Sequence, residues 1–331
     1  MITTGVTGQP WRASITPWGG LRPWDDSPVL EWFVAADDRW HVPAEEQSVR
    51  QQRLDGTAVT ETRVRVPNGD VVQRIFSVAD GGGLTVVEIE NESTLPVAIA
   101  FDHRDVLTER PIADVPIEGI ELPSEAFVTP LGHRATLRVA IAHDRARGGL
   151  LPAGLPAVMQ VVRGWTTITE RASRLVLPDV DRAATWAQAV TAERCEIALG
   201  SIPRAGDDPA GFVLALGELV RMGEHPDPWM PELVDAVELL GPQAGWDADV
   251  ALAAAARVLV AADERRAGRD LERNMGRRSA TAPPPEPPDG VRTVAWVESQ
   301  LAVVPALLPA GMPASWLGQA LDVYGIPTGP H

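Results

Sequence analysis

The sequence contains no lysine: all 29 basic residues are arginine. Chemistry that depends on a lysine amine is thereby excluded, including a Schiff base to pyridoxal phosphate or a carbonyl substrate, a P-loop and a kinase-type strand lysine. Cysteine is nearly absent as well. Cys195 stands alone, so no intrachain disulfide and no cysteine-based zinc cluster can form, and nothing in the thiol content speaks for an oxidising compartment. Long hydrophobic runs are missing too. The longest, "VALAAAARVLVAA" at 250–262, is interrupted by Arg257 and is too short to cross a bilayer. The opening "MITTGVTGQPW" has neither a basic nor an apolar leader region, which makes the cytoplasm the expected location. No G-x-S-x-G elbow and no strand-following G-x-G-x-x-G occurs, so serine-hydrolase and dinucleotide readings lack their usual support.

What is present is strongly acidic. The formal net charge of −16 repels phosphate backbones and anionic lipid, so no nucleic-acid and no membrane partner is expected. The one basic stretch, 263–278, sets six arginines against four acids, and its interleaved signs read as a solvated helix face. At 331 residues the chain exceeds the size at which one core keeps growing, so two domains are expected.

Residues 29 to about 178 carry short runs of Val, Ile, Thr and Phe between turn clusters, the pattern of antiparallel strands in a β-sandwich. The clearest is "TETRVRVPNGDVVQRIFSV", a hairpin in which Asn68 and Gly69 supply the left-handed turn. "GGGLTVVEIENEST", "LPVAIAFDH", "HRATLRVAIAHD" and "AVMQVVRGWTTIT" are read as further strands, with "DGGGL" as a hairpin turn. From Pro178 the period becomes helical. A helix through "DRAATWAQAVTAERCEIALG" ends at Gly200; the next is capped by Asp208, carries Phe212, Val213, Leu216, Leu219 and Val220 on one stripe, and stops at Gly223. A third, from about Pro231 to Leu240, turns Leu233, Val234, Val237 and Leu240 inward, and "WDADVALAAAARVLVAADERRAGRDLERNMGRR" reads as one long helix. The proline run 279–290 is an extended linker, and a last helix runs through "VRTVAWVESQLAVV".

Five of eleven tryptophans, Trp11, Trp18, Trp24, Trp32 and Trp40, fall in the first forty residues. They fit either a sugar-stacking surface or the edge of a core, and core packing is favoured. "PWDDSP", with Asp25 and Asp26, reads as a turn. "DHRD" at 102–105 and "HDR" at 143–145 lack metal-ligand spacing, and no metal or other cofactor is expected. Acids beside tryptophan at helix mouths are more suggestive of chemistry. "GEHPDPWMPE" offers Glu224, His225, Asp227 and Glu232 around Trp229, and "AGWDADV" offers Asp247 and Asp249 beside Trp246. Two carboxylates are what glycoside hydrolysis uses, whereas the plainer reading makes Asp247 the cap of the long helix.

This order, strands followed by antiparallel helices with acids and tryptophans at their mouths, resembles bacterial glucoamylase-like and glycogen-debranching-like proteins, whose catalytic part is a six-hairpin α/α toroid. The connecting helix "RAATWAQAVTAERCEIAL" and the closing "LLPAGMPASWLGQALDVYGIPTGP" carry the likeness. The closing stretch looks like the passage by which actinobacterial relatives leave the toroid. Twelve helices with their loops need roughly 200 residues, and Asp181 to Leu308 offers 128, so the resemblance implies a shortened toroid.

The expected fold is therefore α+β and multidomain: an N-terminal antiparallel β-sandwich (1–178), an incomplete antiparallel α-helical (α/α) domain (179–278), a linker (279–290), and a C-terminal helix with an extended tail (291–331). The resemblance implies an oligosaccharide or α-glucan-like partner. For an active enzyme it implies inverting hydrolysis, and the acid and tryptophan pairs themselves put the acid in the 224–232 loop, at Glu224 or Asp227, the base at Asp247 or Asp249, and Trp229, Trp246 and His225 on the substrate. The alternative is a non-catalytic carbohydrate-binding or interaction module, whose open helical face at Phe212, Leu216 and Leu219 docks a protein partner or a second copy. Trp316 and Tyr324 are expected to pack back on the chain or on a partner.

Overall fold

Strand pairing begins at Ile2, which lies opposite Ile15. The computed structural model describes residues 1–144, 148–176, 183–279, 281–286, 288, 290–302 and 322–324. Its strands are β1 (Ile2–Gly5), β2 (Arg12–Ile15), β3 (Leu21–Arg22), β4 (Trp32–Ala35), β5 (Trp40–His41), β6 (Arg50–Arg53) and β7 (Thr60–Val66). There follow β8 (Gly69–Val78), β9 (Leu84–Asn91), β10 (Val97–Phe101), β11 (Leu107–Thr108), β12 (Phe127–Leu131), β13 (Thr136–Ala142) and β14 (Gly149–Leu150). They form sheets of order β1-β2-β3, β12-β10-β4-β5 and β14-β11-β13-β9-β8-β7-β6. Every pairing is antiparallel except β11 with β14.

One apolar cluster draws on all three sheets, with Ile15 and Leu21 from the first, Trp32, Ile99 and Phe127 from the second, and Ile75, Val87 and Val139 from the third. Period-two alternation puts charge on the opposite face of the large sheet. Register lines up Glu61, Arg74, Glu88 and Arg138 across β7, β8, β9 and β13, a row of alternating sign. Arg74 Nε meets Glu61 at 2.9 Å, and Arg138 meets Glu88 at 2.6 Å. Such cross-strand opposite charges stabilise the pairing and fix its register.

The β7–β8 hairpin forms as expected, but its two turn residues divide the work differently. Asn68 takes the left-handed conformation (φ 63°). Gly69 opens β8 instead, and a Cβ there would meet Ser93 Cα at 2.4 Å, so close approach explains the glycine.

The expected strand over "AVMQVVRGWTTIT" is a helix, α1 (Val158–Thr169). Val158, Val162, Trp165 and Thr169 are buried at three- and four-residue spacing, and Gln160 accepts from Ala157 N in the first turn. Local β-branched content had masked that period. After β15 (Arg174–Val176) come α2 (Ala183–Ala198), α3 (Pro209–Met222), α4 (Met230–Leu240), α5 (Trp246–Ala261), α6 (Arg265–Met275) and α7 (Val291–Ala302). The chain is thus mixed α+β, strands first and helices after, with seven α-helices among the described residues. Contacts divide it into the units Met1–Gly164 and Trp165–His331.

α3 matches its sequence signals closely. Asp208 accepts from Gly211 N at 2.8 Å, and Gly223 ends the helix with φ 107°. The expected long helix is two, because Asp263 adopts φ 62° and reverses the chain between α5 and α6. Gly268 permits the close return, since a Cβ there would lie 3.0 Å from Ala256 O. The open helical face is corrected: Phe212, Leu216 and Leu219 are buried, the first two in a cluster with Leu233 of α4 and Ala251 of α5. Val234, expected inside, is 50% exposed because Ala236 takes the inward position. The tail also finds a partner: β16 (Asp322–Tyr324) pairs antiparallel with β15, Tyr324 opposite Arg174. Trp316 lies outside the described residues, as do Pro313, Gly318, Gly325 and Pro327. No helix among the described residues is long and apolar enough to cross a membrane.

Candidate functional site

The acids singled out from the sequence fall into separate small pairings. Glu224 is exposed just past the α3 cap, its N–H donating to Leu219 O. His225 and Asp227 pair on the surface at 3.2 Å, both more than half exposed, in the turn that leads into α4. Asp247 is not the cap of α5, since Gly245 holds that position; it sits in the first turn, where its charge opposes the positive end of the helix, 3.7 Å from Arg292. Asp249 meets Arg278 at 3.3 Å and accepts from Thr281 N. Trp229 and Trp246 lean their rings on the helical core. Among the described residues no group of three His, Cys, Asp or Glu side chains is gathered as a metal site.

A different set of residues builds a cavity of about 540 Å³ in the strand unit. Its floor comes from the alternation of β1, β2 and β3. Ala13, Ile15 and Leu21 turn into the core. The register places Thr3 beside Ser14 and Ser14 beside Arg22, so these side chains share the opposite face, with Arg12 two residues along. All four line the cavity. The wall is aromatic: Trp11 stacks on His143 with ring centroids 4.0 Å apart, and Trp24 meets the same ring edge-on at 6.5 Å. Gly83 makes room for Trp11, because a Cβ there would lie 2.5 Å from the indole. "PWDDSP" is indeed a turn, closed by Ser27 Oγ donating to Trp24 O at 2.7 Å, and it presents Asp25 to the same cavity.

The electrostatics of this cavity are unusual for so acidic a chain. Among the described residues neither Arg12 nor Arg22 has a carboxylate within ion-pair distance, and Arg22 Nε is buried with no acceptor. Leaving a buried donor unsatisfied costs about 1–3 kcal/mol, so such groups are usually paired. His143 is held from behind, its Nε2 lying 2.8 Å from Thr85 Oγ1. Burial pushes its pKa down to about 4, which keeps the imidazole neutral at neutral pH. The result is a pocket with two positive guanidiniums, hydroxyls from Thr3 and Ser14, an aromatic wall and one acid, suited to an anion attached to a flat or ring-shaped body.

Of the tryptophan cluster, Trp32 is buried in the core, Trp18 Nε1 donates to Glu31 at 3.0 Å, and Trp40 Nε1 donates to Glu118 O. Only Trp11 and Trp24 line the cavity. The missed signal was "WRASI", whose polar-apolar alternation already placed Arg12 and Ser14 on one face.

No family model matches the chain. Two curated proteins do, each over 225 residues at 26% identity, covering 62% of this chain and 53% of the relative. Both are named formate-dependent phosphoribosylglycinamide formyltransferase, from the DP4 and Hildenborough strains of Nitratidesulfovibrio vulgaris. The chain spans about half the length of the curated relatives it matches. These matches overturn the carbohydrate reading: α-glucan hydrolysis by two carboxylates, the carbohydrate-binding or interaction-module alternative, and the oligosaccharide partner. The proteins found are named for a phosphoribosyl compound and formate, not for a glycan. Acids near tryptophan at helix starts need no glycan to explain them, because capping and the helix dipole favour carboxylates there on their own.

Proposed function

We propose that the strand unit binds a small phosphorylated metabolite of the phosphoribosyl class in the cavity between β1–β3 and His143. The observation that carries this reading is Arg22, whose buried Nε lacks an acceptor among the described residues, beside Arg12, a second guanidinium without a carboxylate partner among them. A phosphate oxygen supplies the missing acceptor, and charge-assisted bonds of this kind are the strong ones. The name of the two matched formyltransferases supports the choice of class, since a phosphoribosyl ester and formate are both anions. In the same reading the three sheets form a β-sandwich, the helices after it form an incomplete α/α domain, and the site belongs to the former.

Calorimetric titration with ribose 5-phosphate, with ribose as control, tests this. The phosphorylated sugar is expected to bind with a change in tryptophan emission and ribose to give none. Arg22→Met should weaken binding by about tenfold or more. Equal responses to the two sugars, or unchanged affinity in Arg22→Met, would falsify the assignment.

A further inference from the structure

Behind the cavity, three buried hydroxyls run in a line to His143. Thr4 Oγ1 lies 3.3 Å from Ser77 Oγ, Ser77 Oγ lies 2.9 Å from Thr85 Oγ1, and Thr85 Oγ1 lies 2.8 Å from His143 Nε2. Each comes from a core-facing strand position: Thr4 is in β1, Ser77 in β8, and Thr85 in β9 directly opposite Ser77. Three links need three protons, and the three hydroxyls supply one each. If every hydroxyl donates toward His143, all three protons are used and Nε2 accepts. If the order is reversed, the Thr4 proton points out of the chain, and Thr4 Oγ1 has no second partner among the described residues. An unmet buried donor costs about 1–3 kcal/mol, so the forward order wins.

We infer that this hydroxyl chain fixes His143 as the Nδ1–H tautomer and makes Nδ1–H a further donor of the pocket, one that recognises an oxygen of the bound anion. Among the described residues Nδ1 has no partner, while Nε2 is already engaged. The stack on Trp11 holds the ring plane, so the donor is fixed in direction as well as in protonation. Burial keeps the ring uncharged, so His143 adds a hydrogen bond without adding a positive charge to Arg12 and Arg22. His143 on this account is a positioning and specificity residue, and the inference rests on the phosphorylated-metabolite reading of the cavity.

Nitrogen-15 histidine spectra of the ligand-free protein at neutral pH test the tautomer without any ligand. A protonated Nδ1 with bare Nε2 is expected at His143. Thr85→Val, which keeps the shape but deletes the hydroxyl, should populate the other tautomer, and Thr85→Ser should restore the first. Should Thr85→Val not fold, the wild-type spectrum decides alone, because a protonated Nε2 there overturns the inference. Ribose 5-phosphate titration of His143→Phe then isolates the donor, since phenylalanine preserves the stack. About a fivefold to tenfold loss of affinity is expected for one hydrogen bond to a charged acceptor, and wild-type affinity in this variant overturns the inference. Failure of wild type to bind ribose 5-phosphate overturns the pocket reading, and the ligand-free spectrum tells that failure apart from a wrong tautomer.

Discussion

Trp11 lies flat against His143, with ring centroids 4.0 Å apart and 14° between the planes. The contact exists because Gly83, at φ 107°, leaves the indole a place to rest, and because the Gly83 carbonyl accepts from His143 N at 2.9 Å. Gly83→Ala puts a methyl group into the ring and forces a left-handed alanine. A loss of about 1–3 kcal/mol in urea unfolding is expected from the backbone strain alone. Trp11 emission should shift with it. A variant with wild-type stability and emission would show that the indole is not seated on Gly83.

His143 also gives the fold a pH dependence of definite sign. Its pKa falls from 6.5 to about 4 on folding, so between those values the unfolded chain binds more protons than the folded one. Stability is therefore full above about pH 6.5 and declines as the pH falls toward 4. The contribution is capped at about 3 kcal/mol, and is smaller because solvent still reaches the ring. Comparing wild type with His143→Phe in denaturant melts at pH 7 and pH 4.5 isolates it, the acid-induced loss being smaller in the variant. Parallel loss in both proteins would assign the effect to other groups.

Glu31 has the opposite sign. Burial raises its pKa, the hydrogen bond from Trp18 partly offsets this, and Asp102 raises it further. The folded state thus holds its proton more tightly than the unfolded one, so the ionised carboxylate costs stability at neutral pH and the cost disappears as the pH falls through the carboxylate range. Glu31→Gln keeps an oxygen for Trp18 Nε1 and removes the charge. It should melt higher than wild type at pH 7, with the gap closing at pH 4. A lower melting temperature at pH 7 would mean that the Trp18 bond needs the full carboxylate.

The elements that were readable in the sequence had both a period and a punctuation mark. α3 had Asp208, Pro209, a stripe and Gly223; the β7–β8 hairpin had alternation and Asn68. α1 has no such marks, and seven of its twelve residues, Val158, Val161, Val162, Thr166, Thr167, Ile168 and Thr169, are β-branched, so strand propensity masks its buried three- and four-residue spacing. The α5–α6 break depended on one left-handed aspartate, Asp263, and on a tertiary contact of Gly268, neither of which composition reveals. The cavity was half legible. Alternation in "WRASI" places Arg12 and Ser14 together, but His143 comes just past the end of β13, more than a hundred residues later, and only the tertiary fold brings it against Trp11. The acids beside Trp229 and Trp246 show the converse, since local sequence puts them near each other while helix geometry gives each its own arginine, histidine or solvent.

In the helical unit, Arg194 and Glu218 form a salt bridge of 2.7 Å with side chains only 4% and 6% exposed. Arg194 reaches it from α2 and gives three more donors to Thr169 O, Ser173 O and Ser173 Oγ, while Glu218 of α3 also takes Arg221 at 3.2 Å. With the bond to Glu218, four of the five guanidinium N–H donors are used. Removing one partner strands the other as a buried charge, which costs about 3–5 kcal/mol, far more than the pair itself is worth against a hydrophobic replacement. Arg194→Met should accordingly lose about that much in urea unfolding, and it also leaves two carbonyls and the Ser173 hydroxyl without their donor. Glu218→Leu should lose about as much, because the buried Arg194 charge then has no counterion even though its bonds to Thr169 and Ser173 remain. The double variant should be less destabilised than the sum of the two, with a coupling of about 1–3 kcal/mol. Additive losses would show that the two side chains act separately and that the α2–α3 contact does not depend on their charge.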